Sequence, residues 1–243
     1  MNYEKTWRLI HDPPQEAYTN MAVDEALART IASPANGDVP TLRIYSWEPG
    51  SVSIGYFQQS SRVMDSLGLD AGKRDFALVR RPTGGSAVLH NGGPSFSLTV
   101  KNGLHNSPRA RIRVTELYGL LGRCVVETSR RLGIPAGLCD GAGKPNDNPN
   151  LCVSTLCTYD VVSDGRKVAG YAARRLRDVT LLQGYITLPD GLSARELYHA
   201  ITGAVADVAG VSLIEGTLTR EESAVAAKLE VEKYTRREWN YKR

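Results

Sequence analysis

The segment from Phe76 to Asn91 constrains the fold of this 243-residue chain more than any other. An apolar run, Phe76 to Val79, predicts a buried strand. Arg80-Arg81-Pro82-Thr83-Gly84-Gly85-Ser86 then breaks it into a turn. Ala87-Val88-Leu89 resumes the apolar pattern before His90 and Asn91, so the chain comes back toward the sheet it left. Two glycines let backbone N–H groups approach a ligand closely, and the arginines add fixed positive charge. The same spacing fits an ordinary hairpin with surface arginines, and the pattern alone leaves both readings open.

The rest of the chain supplies strands and helices on either side of that loop. Trp7 to Ile10 alternates as a short strand stopped by Pro13-Pro14, and Asn20 is placed to cap a helix from Met21 to Ile31. Thr41 to Trp47 and Ser51 to Tyr56 read as strands around the turn Glu48-Pro49-Gly50, and Ser61 to Leu67 as a short helix. Ser95 to Val100 is a further strand. From Arg111 to Leu132 the apolar residues Leu117, Leu120, Leu121, Cys124, Val125, Thr128 and Leu132 draw one buried helical face, which makes Cys124 a small core hydrophobe. A polar loop spans Gly141 to Asn150. Strands follow at Tyr159–Val162, Val168–Ala172 and Val179–Leu188, with Asp164-Gly165 as a tight hairpin turn. Helices close the chain from Ser193 to Val208 and from Thr219 to Tyr234, the latter opened by a capping box, Thr219 with Glu222. No internal repeat or low-complexity linker interrupts the pattern, so a single domain over residues 1–243 is expected.

Composition excludes several classes. Hydrophobic content of 42% with 23% charged residues is that of a globular protein, and no run approaches the roughly 20 apolar residues of a membrane span. The N-terminus carries no signal-peptide core, which points to the cytoplasm. Cysteines 124, 139, 152 and 157 lack paired metal-ligand spacing, which leaves core thiols or a nucleophile rather than a metal site. A net charge of +4 suits an acidic protein partner, and no nucleic-acid motif accompanies it.

The Arg80–Asn91 stretch resembles the R-R-x-T-G-G-x-A-V-x-H-[DN] signature of the lipoate–protein ligase and octanoyltransferase family, relatives of the biotin protein ligases. Further matches extend that resemblance from Asn20 to Trp239. Asn20-Met21-Ala22-Val23-Asp24-Glu25 resembles the family's N-M-A-x-D-E helix start, and Gly55-Tyr56-Phe57-Gln58 its G-x-x-Q segment near the acyl pocket. Gly165-Arg166-Lys167-Val168-Ala169-Gly170-Tyr171-Ala172 resembles G-x-K-[IV]-x-G-x-A, and the run from Lys233 to Asn240 resembles the K-Y-x-x-x-E-W-N close. Lys167 follows Cys152 by fifteen residues and Tyr159 follows it by seven, spacings similar to those of the octanoyltransferase branch that uses a cysteine nucleophile. Cys157 and Cys139 have no such context.

The resemblance implies an α+β catalytic domain, a central mixed sheet flanked by helices, related to class II aminoacyl-tRNA synthetases. It implies that an octanoyl group passes from acyl carrier protein to Cys152 and then to a lysine of a lipoyl-domain protein, such as glycine cleavage H protein or a dehydrogenase E2 subunit. No cofactor is needed on that route, and neither nucleic acid nor membrane takes part. Lys167 would stabilise developing charge on the acyl carbonyl. Substrate would be bound by Arg80, Arg81, Thr83, Gly84, Gly85, Ser86, His90, Asn91, Gly55, Gln58, Gly170, Ala172 and Gly184. The C-terminal accessory domain of many ligases is not expected here. An ATP- and magnesium-dependent ligase working through lipoyl-AMP, or an inactive scaffold that binds lipoyl domains, would carry many of the same motifs. Four positions depart from the family pattern: Ser86 for glycine or arginine, Asn91 for aspartate, Tyr171 for serine and Gln183 for histidine. Of these, Tyr171 is expected to crowd the acyl tunnel and Gln183 to remove an acid–base group.

Overall fold

The computed structural model describes residues 5–34, 36–69, 76–90, 93–104, 107–141, 150–154, 156–187 and 191–242. The elements in chain order are β1 Thr6–His11, α1 Ala17–Thr30, β2 Thr41–Tyr45, β3 Ser51–Ile54, α2 Ser60–Leu67, β4 Ala77–Arg80, β5 Val88–His90, β6 Ser95–Lys101, β7 Gly103–Leu104, β8 Ser107–Arg111, α3 Val114–Arg131 and β9 Gly137–Leu138. They continue with β10 Val161–Ser163, β11 Arg166–Leu176, β12 Val179–Ile186, α4 Ala194–Ala209, β13 Ser212–Glu215, α5 Arg220–Leu229 and α6 Arg237–Asn240. Eight strands form one sheet in the order β13-β1-β2-β6-β12-β11-β10-β9, while β4-β3-β5 form a second, smaller one and β7-β8 a ribbon. The large sheet is mixed: β13, β1 and β2 run parallel, and every pairing from β2 to β9 is antiparallel. This is the expected α+β architecture.

Alternation along β2, β6 and β12 assigns the two faces of the large sheet. Leu42, Ile44, Phe96, Leu98, Leu182 and Ile186 meet α3 and α4. The opposite face carries Tyr45 and Trp47 against α1 and α5, together with Arg43, Ser95, Ser97, Gln183 and Tyr185, all buried. Cys124 lies on the buried face of α3, where burial pushes its thiol up to about 12. It is the inert core thiol that the helical pattern predicts.

Several boundaries differ from expectation, each for a nonlocal reason. Helix α1 begins at Ala17, so Asn20 lies inside it rather than at its cap. Asn20 Nδ2 instead donates to the Gln15 and Ser46 carbonyls, and its Oδ1 accepts from Arg43. The strands on either side of Glu48-Pro49-Gly50 belong to different sheets, and Arg111 ends β8 rather than starting α3. Edge strand β13 has no alternating signature of its own and is set by its parallel pairing with β1. The hairpin at Asp164-Gly165 forms as expected, with φ of +48° and +72° at the two residues, the pattern of the favoured two-residue turn. Ser193 and Thr219 cap α4 and α5 through capping boxes with Glu196 and Glu222. Past α5 the helix loosens into a π turn, Glu230–Tyr234. No described helix is long and apolar enough to cross a membrane.

Candidate active site

Three distant motifs converge before the site is reached. Arg80, fully buried, donates to the carbonyls of Gly55, Tyr56 and Gln58, and also to those of Trp239 and Asn240. Asn240 returns the contact by accepting the Arg80 N–H at 2.9 Å. Glu25 of α1 accepts from Lys233 and from the Tyr234 hydroxyl. Arg80 is therefore a backbone clamp between the glycine loop and the C-terminus, and it does not line the pocket described next.

Arg81 plays the matching part on the pocket side. Its guanidinium donates to the Ser53 carbonyl and hydroxyl and to the Gly84 and Ser86 carbonyls, at 2.8–3.0 Å. These bonds wind the loop around the arginine, with Gly85 at a φ of +84°. Gly55 makes the tightest approach: a Cβ there would lie 1.8 Å from the Gly85 carbonyl oxygen, so only glycine lets the two loops meet. His90 is stacked on Trp47, 3.7 Å between ring centroids, with Nε2 2.7 Å from Ser53 Oγ. Burial first, and the Arg81 charge second, hold His90 well below the usual histidine value, so the ring is neutral. Asn91 lies outside the described residues.

The cysteine segment docks on this loop through its backbone. Ala87 N–H donates to Asn150 O and Cys152 N–H to Ala87 O, both at 2.8 Å. Gln58 fastens the same segment: Oε1 accepts from Gly55 N–H, and Nε2 donates to Asn150 O. The G-x-x-Q turn thus holds the Cys152 segment in place. Cys152, half-buried in a 3₁₀ turn, faces β11, where Lys167 donates to its sulfur at 3.4 Å.

Lys167 is itself positioned by two groups. Asp160 holds its ammonium at 2.6 Å, with both side chains at least 95% buried. Burial opposes the charge on Lys167, but the attraction of Cys152 and the hydrogen bond and charge of Asp160 outweigh it and raise the lysine above its usual value. Burial likewise dominates at Asp160, whose carboxyl sits above the usual aspartate value despite Lys167. Gly170 supplies the space, since a Cβ there would fall 2.6 Å from Lys167 Cε and 2.9 Å from Nζ. Sequence reasoning missed Asp160; the only local signal is an acidic residue seven positions before the lysine, and the partnership depends on the β10–β11 hairpin.

The resulting pocket has about 390 Å³ of empty volume. Arg81, Gly85, His90, Cys152, Gly170, Ala172 and Gly184 border it, with Tyr45, Trp47, Val88 and Tyr185 as its larger apolar walls. Thr83, Gly84, Ser86, Gly55 and Gln58 stand behind this lining. Thr83 donates to Gln183 Oε1 at 2.7 Å, and Gln183 Nε2 donates to Asp24 Oδ2 at 2.7 Å. Asp24 also accepts from Arg43, Tyr45 and Ser97. Gln183 is thus a bridge from the glycine loop to α1. Tyr171 borders the pocket, and its ring packs with Phe96 and with Tyr118 of α3. Tyr159 holds a φ of +75° and packs over Gly119 of α3, outside the pocket lining.

The other two thiols occupy different settings. Cys157 is exposed, and burial of its sulfur and the charge of Asp160 push it up. Cys139 is buried, its sulfur accepting from Gly141 N–H at 3.4 Å. A cysteine with an ammonium on its sulfur, at one wall of an apolar pocket, can exchange thioesters, because the thiolate is the attacking form. Fold and site together define a catalytic domain suited to covalent acyl transfer.

The comparisons with known proteins agree with that class. Residues 16–209 match the lipoyl protein ligase A/B catalytic domain, and the chain belongs to that family. It is 33% identical to the octanoyltransferase LipM of Kyrpidia tusciae, over 98% of this chain and 100% of that one. It is 30% identical to the octanoyltransferase LipM of Symbiobacterium thermophilum, over 99% and 100% of the two chains. A lipoate–protein ligase A solved with bound ATP shares the fold, with a TM-score of 0.74 at 23% identity over 97% of this chain and 98% of that one.

Proposed function

We propose that this chain is an octanoyltransferase of protein lipoylation that carries the acyl group as a thioester on Cys152. The observation that bears most weight is the 3.4 Å contact of Lys167 with Cys152, whose side chain borders the apolar pocket. Relatives that share the chain end to end are octanoyltransferases, which supports the choice of acyl group.

The reaction runs in two exchanges. The Cys152 thiolate attacks the carbonyl carbon of an octanoyl thioester; a C–S bond forms and the carbonyl π pair moves to oxygen. Collapse restores the carbonyl and breaks the donor's C–S bond, and the departing thiolate takes up the proton Cys152 gave. In the second exchange the neutral ε-amine of an acceptor lysine forms the C–N bond, the Cys152 thiolate leaves, and the amine's proton passes to it through Lys167. Because the donor is already a thioester, neither ATP nor a metal is required. The apolar walls Val88, Trp47 and Tyr45 receive the hydrocarbon chain. The donor is acyl carrier protein and the acceptor a lipoyl domain, of glycine cleavage H protein or a dehydrogenase E2 subunit, both suited to a chain of net charge +4.

Incubation with octanoyl–carrier protein and a lipoyl domain, without ATP, tests this reading. The wild type should octanoylate the domain and Cys152→Ser should not, because a serine hydroxyl lacks the acidity and the balanced exchange of a thiol. Modification by Cys152→Ala that needs ATP and free lipoate would instead make the chain a ligase.

A further inference from the structure

One hydroxyl at the pocket is left without a hydrogen-bond partner among the described residues. Tyr185 sits on β12 directly opposite Gly170 of β11, so its side chain leaves the sheet on the face where the Lys167 ammonium lies. The residue is 7% exposed, borders the pocket beside Cys152, and its hydroxyl finds no hydrogen-bond partner among the described residues. Buried polar groups are normally paired, and an unpaired one is costly, so an exception beside Cys152 calls for an explanation.

Several other donors around the sulfur are occupied. The Cys152 N–H, the ordinary choice for a carbonyl oxygen at a nucleophile, is spent on Ala87 O. The Arg81 guanidinium is spent on the Ser53, Gly84 and Ser86 backbone and the Ser53 hydroxyl. Thr83 donates to Gln183, and the Lys167 ammonium is shared between Asp160 and the sulfur. Tyr185 alone among these side chains brings an uncommitted O–H to the reacting atoms. Burial, then the charge of the neighbouring Cys152 and the approach of the phenol to its sulfur, raise Tyr185 far above its ordinary value, which favours the protonated, donating form.

We propose that the Tyr185 hydroxyl is the hydrogen-bond donor for the carbonyl oxygen of the acyl group on Cys152. The inference rests on Cys152 being the acyl carrier. As the thiolate adds to the donor thioester, the carbonyl π pair becomes an oxyanion, and the phenol O–H donates to it without giving up its proton. When the tetrahedral centre collapses, the pair returns to the C=O bond, the donor thiolate leaves, and the phenol is unchanged. The same donor serves when the acceptor amine attacks octanoyl-Cys152.

Tyr185→Phe tests this, with two controls that a merely structural ring would not separate. Single-turnover acylation of Cys152 by the octanoyl thioester of N-acetylcysteamine, followed by intact mass, should fall roughly 100-fold or more, as when one oxyanion donor is removed. Alkylation of Cys152 by iodoacetamide, read on its peptide, forms no oxyanion and should stay within twofold of wild type. Thermal stability should not fall, since the hydroxyl has no partner to lose. Acylation within threefold of wild type overturns the proposal. A parallel fall in alkylation also does, placing the phenol on the sulfur rather than the carbonyl, and so does a variant that melts well below wild type. If wild type itself is never acylated at Cys152, the carrier reading fails and this inference with it; a silent Tyr185→Phe leaves the carrier reading standing.

Discussion

Gly170→Ala separates the Lys167–Cys152 contact from the stability of the fold. The added Cβ would stand 2.6 Å from Lys167 Cε and 2.9 Å from Nζ. Non-bonded carbons rest about 3.5–4.0 Å apart, so the end of the lysine must retreat by roughly 1 Å. Such a retreat carries the 3.4 Å contact with the sulfur past hydrogen-bonding range. A hydrogen bond to a charged group contributes about 1.5–3 kcal/mol, which at 1.36 kcal/mol per tenfold is a loss of roughly 10- to 150-fold in rate. Little screening softens this, because the Lys167 side chain is 3% exposed. The fold should tolerate the change: Gly170 is not a positive-φ glycine, and the crowded atoms end a flexible side chain. Alanine at an unstrained site stabilises by about 0.4–1 kcal/mol, and here the displaced lysine offsets that gain, so the melting temperature should not rise. Single-turnover octanoylation read by intact mass, beside a thermal melt, measures both. A folded Gly170→Ala that acylates within threefold of wild type would refute the argument that this contact matters.

Lys167→Ala should lose roughly 2–4 kcal/mol of transition-state stabilisation while staying folded, read as single-turnover acylation; activity within threefold would make Lys167 a bystander. Gly55→Ala forces a Cβ to 1.8 Å from the Gly85 carbonyl oxygen, a backbone atom that cannot step aside. Overpacking of this kind costs about 1–3 kcal/mol or more, so the denaturation midpoint should fall, and an unchanged midpoint would mean the loops do not touch. Glu25 bears on pH: burial raises its carboxyl, but the charge and hydrogen bond of Lys233, the Tyr234 hydroxyl and Arg29 bring the balance below the ordinary value of 4.5. A depressed carboxyl stabilises the fold above its unfolded value and loses that contribution as pH falls through its folded value. The melting-temperature gap between wild type and Glu25→Gln should therefore narrow from pH 7 toward pH 3, and a constant gap would contradict the ion-pair account.

What the sequence makes legible follows from how local each signal is. The Asp164-Gly165 turn, the capping boxes at Ser193 and Thr219 and the apolar face of α3 depend on neighbours within a few residues, and they formed as read. The pairing of Cys152 with Lys167 was implied by the resemblance to the cysteine-dependent octanoyltransferase branch, and the two meet at 3.4 Å. Where partners are remote, the reading fails. Asn20 looks like a cap because its stretch is helical, yet its amide serves Gln15, Ser46 and Arg43. Arg80 and Arg81 look equivalent side by side, but alternation along the chain sends one toward Trp239 and the other toward Ser53. Gln183 reads as a lost histidine until its two ends are found on Thr83 and Asp24. Asp160 and Tyr185 were missed because their roles exist only once β10, β11 and β12 are in register.

The central claim is that octanoyl-Cys152 is an intermediate and not a side product. The direct measurement isolates the acylated protein, removes donor and nucleotide, and adds a lipoyl domain while intact mass follows both chains. The account predicts that the octanoyl mass leaves Cys152 and appears on one lysine of the domain, at a rate matching steady turnover and without ATP. A thioester that stays on Cys152 or is lost only to water, while the domain is modified solely when ATP and a free acid are supplied, would contradict it.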